Sequence, residues 1–167
     1  MFGKARCSEM SQQFSRILME AEGFLDLGLA EDAVRCLEEL PPEEMTALEV
    51  LRLRCRALEV AGSHENMVAV AEILVGSRPD VPEHWESLMR AKRLAGQAKD
   101  GACAGIEAVA QHPDQACLWL ELARCQIEDK DTEGARHAVG TAIDLDSTVR
   151  LQVLDDPDFA GIFSGSW

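Results

Sequence analysis

Apolar residues recur at three- and four-residue steps along almost the whole chain, and alternating β-branched residues are scarce. Such spacing places apolar side chains on one face of an α-helix, so it predicts an all-α protein. Long helices are expected at residues 14–27, 31–40, 43–60, 64–75, 82–94, 99–111, 114–128 and 132–145. A helix near 147–154 and a turn near 158–163 are expected to cover the open end of the array.

Several residues mark where these helices begin. Pro42 and Pro82 each suit the first turn of a helix, where the missing N–H of proline costs nothing. Asp80 is expected to cap the helix that contains Pro82, and Ser63 and Asp131 are expected to be N-caps of their own helices.

Three glycines, two tryptophans and two prolines of the chain recur with a period of 34 residues. The members with this spacing are Gly28, Gly62 and Gly96, then Trp85 and Trp119, and finally Pro79 and Pro113. A fixed period of this length indicates that one two-helix unit is copied along the chain, which predicts a stacked array. The glycines fall where one helix ends and the next begins, a position that favours a left-handed backbone.

The repeat resembles the tetratricopeptide repeat, whose 34-residue signature runs Trp, Leu, a small residue, an aromatic, Gly, Ala, a large apolar residue, Ala and Pro. Matching residues are Ile17, Ala21, Phe24, Gly28, Ala33, Leu37 and Leu40 in the first repeat; Leu51, Cys55, Leu58, Gly62, Ala71, Leu74 and Pro79 in the second; Trp85, Leu88, Gly96, Ala108 and Pro113 in the third; and Trp119, Leu122, Ala123, Ala135 and Ala142 in the fourth.

This resemblance covers about residues 14–147 and implies a tetratricopeptide-like α-solenoid, a right-handed superhelical array of antiparallel helix hairpins with a C-terminal capping helix. Residues 1–167 would form a single domain. Its repeats are expected at 14–47, 48–81, 82–115 and 116–147, with the cap at 147–163.

The third repeat departs from the signature at two helical positions, where Gly101 and Gly105 replace Ala and a bulky residue. Each glycine costs about 1 kcal/mol of helix propensity relative to Ala. Two interpretations stay open: the glycines give room to Trp85 or Trp119, or they create a soft spot or side pocket. In the fourth repeat, Lys130 stands where the turn glycine is usual.

The ninth position of the repeat carries an unexpected row of arginines. In tetratricopeptide arrays this face of the first helices lines a concave groove. The position holds Glu22, Arg56, Arg90 and Arg124, and Arg52 and Arg93 lie one turn away. Arginine binds carboxylates through two parallel, charge-assisted hydrogen bonds. The five arginines are therefore candidate ligand-binding residues for acidic side chains or a terminal carboxylate of a partner.

An internal alternative exists for the same arginines. Three acidic residues precede them at helical spacing, in the pairs Glu49–Arg52, Glu86–Arg90 and Glu121–Arg124. These pairs could neutralise the row so that nothing binds there. If a partner does bind, reversing the charge of Arg56, Arg90 and Arg124 together is expected to abolish binding without unfolding the chain. Apolar contacts would come from Leu18, Leu94, Leu120 and Ile127.

The net charge disfavours two classes of partner. The chain has 16 basic and 30 acidic side chains, a formal charge of −14, and such a surface repels nucleic acid and anionic membrane. Neither a signal peptide nor an apolar run long enough to span a bilayer is recognisable, so a cytoplasmic location is expected if residue 1 is the true start. The six cysteines and four histidines match no zinc spacing or catalytic motif, and neither a cofactor nor an enzyme is predicted.

The leading functional hypothesis is a protein–protein interaction adaptor that holds a peptide or extended segment in its groove. One alternative is a structural, self-assembling scaffold subunit, whose homo-oligomer contacts would use apolar residues of the two ends: Phe2, Met10, Phe14, Phe159, Ile162, Phe163 and Trp167. Another is a chaperone of the bacterial type III secretion kind, which only size and acidity support.

Overall fold

All regular elements of the described chain are helices, as predicted. The computed structural model describes residues 2–163, and side chains from 12 to 162. The elements are α1 (Phe2–Asp26), α2 (Ala30–Glu38), α3 (Leu48–Val60), α4 (His64–Ser77), α5 (Pro82–Leu94), α6 (Ala98–Gln111), α7 (Ala116–Glu128), α8 (Thr132–Leu145), α9 (Val149–Asp155) and a C-terminal 3₁₀ helix (Pro157–Phe163). The side chains of Phe2, Met10, Phe163 and Trp167 lie outside the described residues.

The chain divides into two compact units, which we call unit 1 (Met1–Val70) and unit 2 (Ala71–Trp167). In unit 1, α1 packs antiparallel against α2, and both contact α3. In unit 2, α5 and α6 form one hairpin and α7 and α8 form the next. The capping elements α9 and the 3₁₀ helix then pack on α7 and α8. That the four repeats form one domain stays a prediction.

The predicted start of the third helix at residue 43 is wrong, because α3 begins at Leu48. Residues 42–46 form turns instead, with hydrogen bonds from Glu44 N to Pro41 O (2.9 Å) and from Ala47 N to Glu44 O (3.0 Å). Ala47 has extended backbone and directly precedes α3. Pro42 therefore belongs to a tight turn between hairpins.

The helix caps are partly as expected. Asp131 is confirmed as an N-cap, since its carboxylate accepts a hydrogen bond from Gly134 N at 3.0 Å. Ser63 also takes the N-cap position of α4, where its carbonyl accepts the first helical bond from Met67 N. The prediction for Asp80 is wrong: Val81 precedes α5, and Asp80 pairs with Arg78 at 2.7 Å. The hydrogen bond from Arg78 lowers the pKa of Asp80 to about 2.

The predicted turn glycines have the left-handed backbone that the repeat requires. Gly28, Gly62 and Gly96 have φ of 73°, 69° and 75°. Lys130, which replaces the fourth glycine, has φ of 67° despite its side chain. The same helix ending thus occurs in all four hairpins, at about 1 kcal/mol or more of strain in the fourth.

Repeat-signature residues form the core of each unit. In unit 1, Ile17, Ala21, Ala33 and Leu37 are essentially inaccessible to solvent. In unit 2, the tryptophans also fix the turns before their helices. Trp85 Nε1 donates to Pro79 O at 2.8 Å, and Trp119 Nε1 makes the equivalent bond to Pro113 O at 3.0 Å.

The two glycines of α6 allow close contact with the neighbouring helices. A Cβ atom on Gly105 would lie 2.7 Å from Met89 Sδ and 2.8 Å from Leu122 Cδ1. One on Gly101 would lie 2.9 Å from Cys125 Sγ. The close-packing interpretation is therefore correct, but these three side chains, rather than the tryptophans, use the space.

Candidate functional site

Unit 1 has a cavity of about 480 Å³ between α1 and α3, which we call the α1–α3 cavity. Its lining comprises Ser15, Leu18, Met19, Glu22, Glu49, Arg52, Leu53 and Arg56. Two residues at the ninth repeat position, Glu22 and Arg56, thus line one cavity together. Leu18 and the largely exposed Met19 supply apolar surface beside them.

Arg56 is a cation of the α1–α3 cavity that an incoming ligand can reach. Its side chain is exposed, and it makes no ion pair with any side chain among residues 12–162. Arg52 is exposed as well and has a polar partner of its own. The predicted Glu49–Arg52 pair stays a prediction, although both residues line the cavity.

Unit 2 has a second cavity, of about 520 Å³, which we call the α5–α7 cavity. Its lining comprises Glu86, Arg90, Arg93, Asp114, Gln115, Ala116, Cys117, Leu120, Arg124, Asp146, Val149 and Gln152. The remaining three candidate arginines therefore share one cavity. Leu120, predicted to supply apolar contact, lies among them.

The arginines of unit 2 are paired within the protein. Arg90 Nη2 lies 2.6 Å from Glu86 Oε1, which confirms the predicted pair. Arg124 Nη1 lies 3.0 Å from Glu121 Oε2, which confirms another. Internal neutralisation, the alternative drawn from helical spacing, is thus part of the structure of unit 2.

A buried carboxylate joins two of these arginines. Glu121 is only 1% exposed, and it accepts hydrogen bonds from Arg93 Nε (3.1 Å) and Arg124 Nη1 (3.0 Å). Arg93 Nη1 also donates to Glu128 at 3.0 Å. Burial alone would lower the pKa of Arg93, but its bonds to Glu128 and Glu121 raise it above the usual value. Both guanidinium groups therefore stay charged despite their burial.

The C-terminal cap completes the coordination of Arg124. Its Nη2 donates to Asp156 Oδ2 at 2.7 Å, and its Nε lies 3.8 Å from Asp158 Oδ2. The guanidinium carbon stands 5.0 Å from the ring centroid of Phe159, which is completely buried. The hydrogen bond from Arg124 lowers the pKa of Asp156 below its ordinary value. We call Arg93, Arg124, Glu121, Glu128, Asp156 and Asp158 the arginine–carboxylate network.

The sequence did not reveal this network in full. It predicted Glu121 as a partner of Arg124 on the same helix, but not of Arg93, which is 28 residues away. It also treated the C-terminal segment as an apolar cover. The run Asp156-Pro157-Asp158-Phe159, which is acidic and aromatic and follows the repeats that carry the arginines, was the available signal.

Other candidate chemistry is sparse in the described residues. Within that part of the chain, no group of three or more His, Cys, Asp or Glu side chains could hold a metal ion. His84 lies near the start of α5 and is buried, with its Nδ1 atom 3.1 Å from Arg78 O. None of the helices described here has the length and apolarity to cross a membrane.

Solved structures of MamA are similar to this chain. MamA 41-end from Desulfovibrio magneticus RS-1 matches with a TM-score of 0.69 and 20% identity, covering 90% of this chain and 89% of that one. The MamA RS-1 ArsTM double mutant has a TM-score of 0.69 and 16% identity, covering 79% and 74%. A crystal structure of MamA protein has a TM-score of 0.69 and 12% identity, covering 89% and 79%.

Comparisons of sequence identify no relative of this chain. No protein-family model matches the chain, and no curated protein matches it. The structural likeness shows the fold: an all-α, tetratricopeptide-like array of antiparallel helix hairpins with a C-terminal cap.

Proposed function

We propose that this chain is a tetratricopeptide-type interaction adaptor, without catalytic activity, that binds an extended protein segment carrying acidic groups. The candidate anchors are Arg52 and Arg56 in unit 1, and Arg90, Arg93 and Arg124 in unit 2. Helical-hairpin arrays commonly bind partners along the surface that their first helices form. The predicted row of Arg56, Arg90 and Arg124 along one groove is part of this proposal.

Arg56, which is exposed and makes no ion pair with the side chains of residues 12–162, carries the proposal. Its guanidinium can form two charge-assisted hydrogen bonds with an incoming carboxylate. Leu18, Met19 and Leu53 lie around it, so an apolar side chain next to the acidic group would also find contact. This combination suits a segment in which an acidic residue neighbours an apolar one.

The unit 2 arginines contribute differently. Arg93 and Arg124 are each only 15% exposed and are already matched by carboxylates. Arg90 is more accessible, at 35%, and is paired with Glu86 on its own helix. A ligand therefore reaches Arg56 without disrupting an internal ion pair, whereas in unit 2 it must replace existing partners.

Replacing Arg56 by Glu is expected to reduce partner binding at least about tenfold, since a charge-assisted hydrogen bond is lost and a repulsion is added. The measurement is affinity capture from the native lysate, with the recovered protein identified and its affinity then determined on purified material. Binding by the wild type should also weaken with salt, because exposed charge pairs are screened.

Arg54→Glu is the matched control for this experiment. Arg54 lies on α3 between Arg52 and Arg56, but it does not line the α1–α3 cavity. The Arg54 variant should keep the wild-type affinity. Equal losses of affinity in the two variants would mean that the net charge of α3, and not a contact in the cavity, controls binding. The proposal would then be wrong.

Self-association is the second candidate function, and α9 gives it a specific observation. Leu151 and Leu154, three residues apart on this helix, are 71% and 60% exposed. The end-face residues that the sequence suggested are less suitable, because Phe14 is packed on the unit 1 core and Phe159 and Ile162 are buried in unit 2. The secretion-chaperone alternative rests on size and acidity alone.

If α9 joins copies of the chain, Leu151→Glu with Leu154→Glu should convert an oligomer into a monomer, because the substitutions place charge in an apolar contact. Light scattering over a range of protein concentrations measures this. The exposed Leu27 and Val60, replaced in the same way, serve as the control in unit 1. A wild type that is monomeric at every concentration would exclude this candidate.

A further inference from the structure

The C-terminal segment places its own acidic residues against Arg93 of the third repeat and Arg124 of the fourth. We infer that Arg93 and Arg124 form a binding site for an acidic-aromatic segment, and that residues 156–159 hold this site closed from within the chain. The inference rests on the proposed function and deepens it, since it concerns how a ligand gains access to the arginines of the α5–α7 cavity.

The contacts of residues 156–159 are those expected of a bound peptide. Asp156 accepts a hydrogen bond from Arg124 at 2.7 Å, and the Asp158 carboxylate lies 3.8 Å from Arg124 Nε and 4.0 Å from Arg93 Nη1. Phe159 is buried beneath the Arg124 guanidinium. Two carboxylates with one residue between them, followed by an aromatic ring, thus lie against one pair of arginines, which also bond Glu121.

An end cap needs only its apolar part. Val153, Phe159 and Ile162 are at most 3% exposed and cover the apolar surface of the last hairpin. The terminal hairpin of a helical array requires such a cover, but it does not require carboxylates directed at groove arginines. Asp156 and Asp158 therefore add a function beyond covering the end.

In the preceding repeat, the arginine at the same position is more exposed. Arg90 is the equivalent of Arg124, 34 residues earlier, and its side chain is 35% exposed instead of 15%. Its carboxylate in this cavity is Glu86, on its own helix. The lower accessibility of Arg124 thus coincides with the added contacts from the C-terminal segment.

The segment itself indicates the chemical class of the ligand. A partner would present Asp-x-Asp-Phe, or a similar arrangement of two carboxylates and an aromatic ring, and would displace residues 156–159. When a site is open in only a fraction of molecules, the apparent dissociation constant is the intrinsic value divided by that fraction. Weakening the internal contacts should therefore strengthen binding in trans.

The test uses a fluorescently labelled synthetic peptide with the sequence of residues 153–162, titrated with the full chain and followed by fluorescence polarisation. The variant Asp156→Asn with Asp158→Asn removes both carboxylates and keeps the buried ring. It should bind the peptide about tenfold more tightly than the wild type does, since charge-assisted contacts that close the site are lost.

Two controls define the interpretation. Asp144→Asn with Asp155→Asn removes the same charge at exposed positions near the segment and should leave the affinity unchanged. A peptide with Asn in place of Asp156 and Asp158 should bind neither protein. If the double variant gains nothing over the wild type, or the Asn peptide binds equally well, the inference is wrong.

A milder variant covers the case in which the double substitution loosens unit 2. Asp158→Asn alone removes the longer contact and should give a smaller gain in affinity with an unchanged tryptophan emission spectrum. Arg54→Glu, at a residue that lines neither cavity, should leave the peptide affinity unaltered. The peptide assay tests the contacts of Arg93 and Arg124, whereas the capture assay tests Arg56, so failure here and failure of partner binding at the α1–α3 cavity are separate results.

Discussion

Replacing Arg124 by Glu should destabilise unit 2 by about 4–5 kcal/mol, because removing one member of a buried ion-pair group leaves the others uncompensated. The new carboxylate would face Glu121, which is buried, together with Asp156 and Asp158. The contact between the guanidinium and the ring of Phe159 would also be lost. Because domains are typically stable by about 5–15 kcal/mol, this change removes a large part of the total.

The measurement is urea denaturation followed by two signals. The three tryptophans at positions 85, 119 and 167 all belong to unit 2, so tryptophan fluorescence reports on that unit. Far-UV circular dichroism reports on the helices of both units. The fluorescence transition of Arg124→Glu should therefore move to much lower urea concentration, while part of the dichroism signal is retained.

Arg90→Glu is the matched control, since Arg90 occupies the same repeat position one repeat earlier. Its partner Glu86 is 28% exposed, and such accessible pairs contribute about 0–1 kcal/mol. The control should shift the transition only slightly. Equal shifts for the two variants would show that the arginine–carboxylate network does not stabilise unit 2.

The stability loss expected for Arg124→Glu changes an expectation drawn from the sequence. Reversing Arg56, Arg90 and Arg124 together was expected to abolish binding without unfolding. Because Arg124 joins the cap to α7, its reversal confounds a binding assay with loss of structure. Arg56, which makes no ion pair with the side chains of residues 12–162, is a position at which binding and stability can be separated.

The hairpins could be predicted from the sequence because their determinants are local and repeated. The first helix of each hairpin is followed by a residue with positive φ, and Gly28, Gly62 and Gly96 mark three of these four positions at a fixed spacing. The boundaries of α5 and α8 coincide with the prediction for the same reason: Pro82 and Asp131 act within one turn of themselves. The start of α3 was missed because Pro42 suits a turn as well as a first helical turn.

The arginine–carboxylate network could not be predicted because its contacts are distant and do not repeat. The bond from Arg93 to Glu121 depends on how α5 packs against α7, and the bond from Arg124 to Asp156 spans 32 residues into a segment outside the repeats. Periodicity shows which residues share a face, but not which side chains of different helices reach one another. The accessibility of each candidate arginine was therefore beyond the sequence.

The glycines of α6 give the second large prediction. Gly105→Leu restores the bulky residue of the repeat signature, yet it should destabilise unit 2 by about 2–3 kcal/mol. The first side-chain carbon alone would meet Met89 Sδ at 2.7 Å, Leu122 Cδ1 at 2.8 Å and Leu122 Cβ at 3.2 Å. The gain of about 1 kcal/mol in helix propensity is smaller than this overpacking.

Gly140→Ala is the control that separates packing from propensity, and it should have the opposite sign. Gly140 lies within α8, is exposed, and has no atom within 4 Å of the position that a Cβ would take. Its substitution should stabilise unit 2 by about 0.5–1 kcal/mol, measured by the same fluorescence-detected urea titration. If Gly105→Leu were also stabilising, α6 would have room for a side chain, and a soft third repeat would describe unit 2 better than the close contact of α6 with Met89 and Leu122.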